Sequence, residues 1–212
     1  MNQFFPNLKE EQPLMDHFSA HKTKRKEWIF LLLSILIGFA LRYYTFDHKS
    51  LWLDEVYTYN DARYGFKDQL KYYQEDPKYL HPPLFFILTH FFYPTSKPER
   101  DLRIIPLIFG TLAIPMIYLL SRSFSPEIAV PCTLSLTFMA YHVSLSQEGR
   151  PYSMIMLLGM VSLYFFIQYL KTLKRKYLWL VALSYAILFH TSYSSILFIL
   201  FSQVLWLYQV RE

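Results

Sequence analysis

Three short polar clusters and a lone arginine interrupt a largely apolar chain, and they are where chemistry could be done. Asp54 and Glu55 stand side by side in Leu51-Trp52-Leu53-Asp54-Glu55. A carboxylate in such a place can act as general base on an acceptor hydroxyl, worth typically about 10²–10⁴-fold in rate. The same pair also suits a helix start, with Asp54 as N-cap and Glu55 favoured by the helix dipole. His81 precedes Pro82 and Pro83, which fix an extended backbone; the plain alternative is a surface histidine before a turn. Ser146-Gln147-Glu148-Gly149-Arg150-Pro151-Tyr152 sets a carboxylate two residues from a guanidinium. A planar guanidinium suits phosphate through paired hydrogen bonds, whereas a local Glu148–Arg150 surface pair would contribute little. Arg103 is a further cation, expected as a snorkelling anchor ahead of a phosphate contact. Metal ligation is not expected, because no His, Cys and carboxylate set has ligand spacing. No cofactor is expected either: CxxC, GxGxxG and Walker patterns are absent from the sequence.

The elements that must position these clusters are membrane helices. The 212 residues are 53% hydrophobic, only mildly above a soluble domain. The distribution decides the class, because the apolar residues fall in long runs with charges clustered between them. The net charge of +5 comes from short clusters beside those runs, where they set topology. A basic face along a soluble surface is absent, so nucleic acid is not an expected partner. The single cysteine, Cys132, lies within an apolar run and can form no intramolecular disulfide.

Residues 1–27 form a polar tail ending in Lys22, Lys24, Arg25 and Lys26. Trp28–Tyr44 follows as an apolar run broken only by Ser34 and Arg42, about 26 Å long as a helix and enough to span. The positive-inside rule puts the N-terminus in the cytoplasm. Further spans are expected at Ile104–Leu120, Ile128–Leu145, Tyr152–Leu170, Tyr177–His190 and Ile196–Tyr208. Leu84–Tyr93, about 15 Å as a helix, reads as an interfacial or re-entrant helix. Charge parity supports this, since Lys171, Lys174, Arg175 and Lys176 then fall in the cytoplasm. The expected fold is an all-α polytopic bundle of about six transmembrane helices, with a large external loop at 45–103. Within that loop Val56, Tyr59, Ala62, Phe66, Leu70 and Tyr73 share one helical face. A helix so rich in Tyr should lie flat at headgroup level, against membrane lipids.

Together the motifs resemble the start of the membrane-embedded GT-C glycosyltransferases. The closest likeness is to the branch of the protein O-mannosyltransferases (glycosyltransferase family 39) and of the transferases that add aminoarabinose or galacturonic acid to lipid A. Leu51-Trp52-Leu53-Asp54-Glu55 and His81-Pro82-Pro83-Leu84 carry the likeness first. Arg103-Ile104-Ile105-Pro106, with Gly110, Tyr118 and Arg122, looks like that family's second span. Ser146–Tyr152 resembles its Ser-Gln-Glu-Ala-Arg-x-Tyr segment, with Gly149 in place of Ala. His190-Thr191-Ser192-Tyr193 resembles its Thr-His-Tyr stretch. The likeness runs from about residue 28 to the end. Family members are considerably longer, so residues 28–212 are expected to be a region truncated at its C-terminus.

The resemblance implies a polyprenyl-phosphate-linked sugar donor and transfer on the external face to a lipid, glycan or protein acceptor. It implies that Asp54 with Glu55 is catalytic near the acceptor, and that Glu148 and Arg150 line the same cavity. His81, Arg103 and Tyr152 complete the expected substrate-binding set. A bacterial plasma membrane is the location it suggests. Two other readings stay open: a non-catalytic transporter or polysaccharide-assembly fragment, and an inactive glycosyltransferase remnant. Ionisable residues inside the spans would favour a transporter, whereas the acids here sit in the loops.

The topology is directly testable. Single cysteines at positions 60, 124, 148 and 173 should label from opposite sides, 60 and 148 from outside and 124 and 173 from inside. Labelling of 148 and 173 from one side would refute the six-span arrangement.

Overall fold

Pro98 and Pro126 each open a helix, at the first turn, where a missing N–H leaves no hydrogen bond unmade. The computed structural model describes residues 16–75, 81–92 and 97–210. Among these residues the chain is all-helical: α1 (Asp16–Tyr43), α2 (Leu53–Ala62), α3 (Phe66–Glu75), α4 (Leu84–His90), α5 (Pro98–Phe124), α6 (Pro126–Phe138), α7 (Ala140–Leu145), α8 (Tyr152–Thr172), α9 (Arg175–Thr191) and α10 (Ser195–Val210). Most of the polar tail, through residue 15, and Tyr93 lie outside the described residues.

Among the described residues two helices, α5 and α8, are long and apolar enough to cross a membrane. α5 is the hub, packing on α1, α6 and α8, while α8 in turn carries α9, and α9 carries α10. At 27 residues α5 is about 40 Å long, so roughly two turns exceed a 30 Å hydrocarbon layer. Ladder ends fix the directions. Glu27, in α1 just before its apolar run, meets the end of α5 and takes hydrogen bonds from Arg122 (2.5 Å) and Tyr118 (3.1 Å). Lys171 at the end of α8 donates to the Ser123 carbonyl, also at the end of α5. At the other end Ser153 Oγ donates to the Pro106 carbonyl at 3.0 Å. The long helices therefore alternate in direction, and the outer faces stay apolar, with Trp28, Leu32, Trp179, Leu197 and Phe201 all exposed. Such contiguous apolar exposure marks a lipid-facing surface rather than a soluble one.

Three expectations are altered. The run expected as one span at Ile128–Leu145 breaks at Met139 (φ −63°, ψ 105°) into α6 and α7. The break is held by Arg42, which is fully buried in α1. Its guanidinium donates to the freed carbonyls of Leu136 (3.1 Å) and Thr137 (3.4 Å) and to His142 Nδ1 (2.8 Å). A cation on the last carbonyls of α6 satisfies orphan acceptors and complements the helix dipole. The amphipathic helix expected through residues 56–73 is two helices, α2 and α3, parted near Gly65. Its buried face on α2 is Glu55, Thr58 and Ala62, which shares only Ala62 with the expected stripe, and Val56, Phe66 and Leu70 stay exposed. Asp54 is not the N-cap of α2; Trp52 is, and its N–H donates to Glu55 Oε2 at 3.3 Å. Leu84–His90 is a seven-residue helix, about 10 Å long, and too short to span.

Close approach of α5 to the 146–149 segment depends on Gly110. A Cβ there would fall 2.0 Å from Ser146 Oγ and 2.5 Å from Ser146 Cβ. Gly110→Ala should therefore cost about 1–3 kcal/mol through overpacking, seen as a lower melting temperature of the detergent-solubilised chain. Adding Ser146→Gly should recover most of the loss, because it removes both clashing atoms.

Candidate functional site

The polar groups gather at the end of the bundle where α1 finishes and α5 begins. Residues 45–52 leave α1 and turn into α2, whose first turn holds Asp54 and Glu55. Glu55 faces inward and is 0% exposed. Arg103, on the second turn of α5 and 2% exposed, meets it as a fork: Nε to Oε1 at 2.8 Å and Nη2 to Oε2 at 2.7 Å. Arg103 also donates to the carbonyls of Phe46 (2.7 Å), Lys49 (2.9 Å) and Ser50 (3.3 Å). All five of its N–H donors are thus used on protein acceptors. It neither snorkels nor keeps a donor for phosphate.

Glu55 Oε1 takes a further hydrogen bond, from the Gly149 N–H at 2.6 Å. One carboxylate therefore joins α2, α5 and the turn before α8, across 94 residues of chain. Gly149 itself is tightly held: a Cβ there would lie 2.6 Å from Leu102 and 3.2 Å from Glu55 Oε1. An Ala at this position would require the Leu102 side chain to shift. Gln147 ties the same turn to the end of α1, donating to the carbonyls of Arg42 (3.0 Å) and Tyr44 (2.9 Å).

Asp54 points differently. Its carbonyl accepts from Thr58 Oγ1 (3.1 Å) and Arg150 Nη1 (3.3 Å), but its carboxylate takes no hydrogen bond or ion pair among the described residues. Arg150 Nη1 also reaches Thr58 Oγ1 at 3.1 Å, and its Nε is buried with no partner. Asp54 and Arg150 are thus neighbours through the main chain, each with charged atoms uncommitted.

Glu55 and Arg103 also border a cavity of about 340 Å³, lined further by residues of the 45–52 loop and of the 144–148 segment. Glu148 lines it, accepting from Ser144 Oγ at 3.4 Å. Burial, and then the nearby Glu55 carboxylate, push the Glu148 carboxyl above the usual range, against the pull of Ser144, Lys49 and Arg103. Asp54, Arg150, His81 and Tyr152 are not among the lining residues. The 51–55 and 146–152 segments meet through Glu55 with Gly149 and through Asp54 with Arg150, and of the Asp54 and Glu148 carboxylates only the latter lines the cavity. His81 is exposed, with its ring edge-on to Phe86 at 6.1 Å. Tyr152 is half-buried as the first residue of α8. No group of His, Cys and carboxylate residues among those described could hold a metal.

The profile of the dolichyl-phosphate-mannose-protein mannosyltransferase family matches residues 80–210, well over half of the chain. The chain belongs to that family. It is a membrane glycosyltransferase of the GT-C type, as its motifs resembled. No curated protein and no solved structure matches it. The matched region includes His81, Arg103, Glu148, Arg150 and Tyr152, and begins after Asp54 and Glu55.

Lys49 and Gln147 line the cavity without being in the expected substrate-binding set, and Arg42 stood only as an exception in an apolar run. A charge inside a span is costly unless bonded. That cost was the available signal for Arg42.

The Glu55–Arg103 pair yields a stability prediction. Arg103→Met leaves a buried, unpaired carboxylate and should destabilise the chain by about 3–5 kcal/mol. Adding Glu55→Gln should cost much less than the sum of the two single changes, read by thermal unfolding in detergent as a double-mutant cycle.

Proposed function

We propose that this chain transfers a sugar from a polyprenyl-phosphate-linked donor to a hydroxyl of a lipid, glycan or protein acceptor, with Asp54 as the base. The observation that carries this reading is the unequal fate of two adjacent carboxylates. Glu55 is consumed by Arg103 and Gly149. Asp54, one residue earlier and half-buried, keeps its carboxylate uncommitted.

In the proposed step the acceptor oxygen attacks the anomeric carbon and forms the new glycosidic bond. The bond from that carbon to the phosphate oxygen breaks, and the lipid phosphate leaves with the electron pair. Asp54 takes the hydroxyl proton. Arg150, whose Nε lacks a partner, offers positive charge to the leaving phosphate, an electrostatic contribution that grows where water is excluded. His81 and Tyr152 are proposed to meet substrate at the rim. Arg103 serves by positioning Glu55.

Six spans and reaction on the external side belong to the same proposal. Its support is the separation of charge between the two ends of the bundle. Arg122, Lys171, Arg175 and Lys176 lie at the end away from Asp54, as expected of a cytoplasmic face.

Asp54→Asn tests the reading. The amide preserves shape and removes basicity, so transfer from a polyprenyl-phosphate sugar in membranes should fall about 10²-fold or more. Insertion and melting temperature should hold, since a first-turn charge contributes only about 0.3–1 kcal/mol. Wild-type transfer rates in the Asn chain would reassign Asp54 to structure.

A further inference from the structure

The cavity beside Glu148 has a chemistry distinct from that around Asp54 and Arg150. Its 340 Å³ corresponds to about eleven water volumes. That is more than one hexose ring fills and sits at the small end of ligand pockets. One wall is the indole of Trp52, 44% exposed, a flat apolar surface for the C–H face of a ring. The lining also includes Thr45, Ser50, Ser144, Gln147 and Glu148, whose side chains carry hydroxyl, amide and carboxyl groups. These are donors and acceptors suited to ring hydroxyls.

The charges argue against phosphate. Arg103 and Glu55 reach the cavity wall, yet they neutralise each other, and every Arg103 donor is taken. What is left is one ammonium, Lys49, and one carboxyl, Glu148, so no net positive field selects an anion. The uncommitted guanidinium atoms belong to Arg150, which lies outside the cavity lining. Thr45 adds a second observation. It lines the cavity with φ 68°, a left-handed conformation that is costly for a β-branched residue. Such strain persists where the surroundings over-determine it, which occurs preferentially at ligand sites.

We infer that this cavity holds one uncharged pyranose ring, with Lys49, Trp52, Gln147 and Glu148 reading its hydroxyls, while the lipid phosphate sits outside, on the Arg150 side. The inference rests on the glycosyltransferase reading and divides its site into a sugar compartment and a phosphate compartment. The ring is that of the donor sugar or of a sugar on the acceptor, since both present the same polyol.

The test is protection from chemical labelling. A hydrophobic carbodiimide, applied to the full chain in membranes and read by peptide mass mapping, should label Glu148. Millimolar methyl α-D-mannopyranoside should slow that labelling severalfold and leave labelling at Asp54 unchanged. Inorganic phosphate should leave Glu148 labelling unchanged. Lys49→Ala should weaken the protection. Protection of Glu148 by phosphate, protection of Asp54 alone, or no protection by the glycoside would each overturn the inference. None of these outcomes bears on the Asp54→Asn transfer assay, which decides the parent reading separately. Steady-state kinetics of Glu148→Ala then separates the two sources. A raised KM for the lipid-linked donor assigns the ring to the donor sugar, and a raised KM for the acceptor assigns it to the acceptor. A KM unchanged for both overturns the assignment.

Discussion

The buried ion pair between Glu55 and Arg103 is the constraint on which the rest of the site depends. Burying either charge alone would cost several kcal/mol. The pair is tolerable because every donor of Arg103 and both oxygens of Glu55 are satisfied. That satisfaction needs four separate pieces of chain at once: the loop after α1, the first turn of α2, the start of α5 and the turn before α8. The pair therefore acts as a geometric specification. Once it forms, the loop carbonyls of Phe46, Lys49 and Ser50 have one arrangement, and the side of α2 that bears Asp54 must face away from it.

A second buried cation performs the same task deeper in the bundle. Arg42 occupies the space next to Gly38 and Gly110 and turns α6 into α7 by taking carbonyls that the helix leaves open. The break redirects the chain so that Ser146, packed on Gly110, and Gln147, bonded to the end of α1, deliver Glu148 and Gly149 to the Glu55–Arg103 pair. Both arginines are bonded almost wholly to main-chain carbonyls or one partner side chain. That is how a membrane bundle can hold charge without forming an ion pathway.

The helical class and the membrane setting were legible because long apolar runs leave few other options. The family was legible because several short motifs stood in order. Leu84–His90 was legible as a short helix from its length and the preceding prolines. The rest was hidden for physical reasons. Nothing in Asp54-Glu55 says which carboxylate turns inward; that depends on the rotation of α2, which Ala62 and Thr58 fix by packing. Arg103 looked like an anchor because a cation at a span end usually reaches for water, and only the folded loop supplies the carbonyls that hold it. The break at Met139 has no local sequence signal, since its cause, Arg42, lies nearly a hundred residues earlier.

The central claim is that adjacent carboxylates divide their labour, with Glu55 holding the site together and Asp54 left for chemistry. The most direct measurement is the pair of melting temperature and pH–rate profile for Glu55→Gln. The account predicts a melting temperature lowered by several degrees, with residual transfer that keeps the wild-type pH dependence. An unchanged melting temperature, together with abolished transfer, would make Glu55 the reacting group and contradict the account.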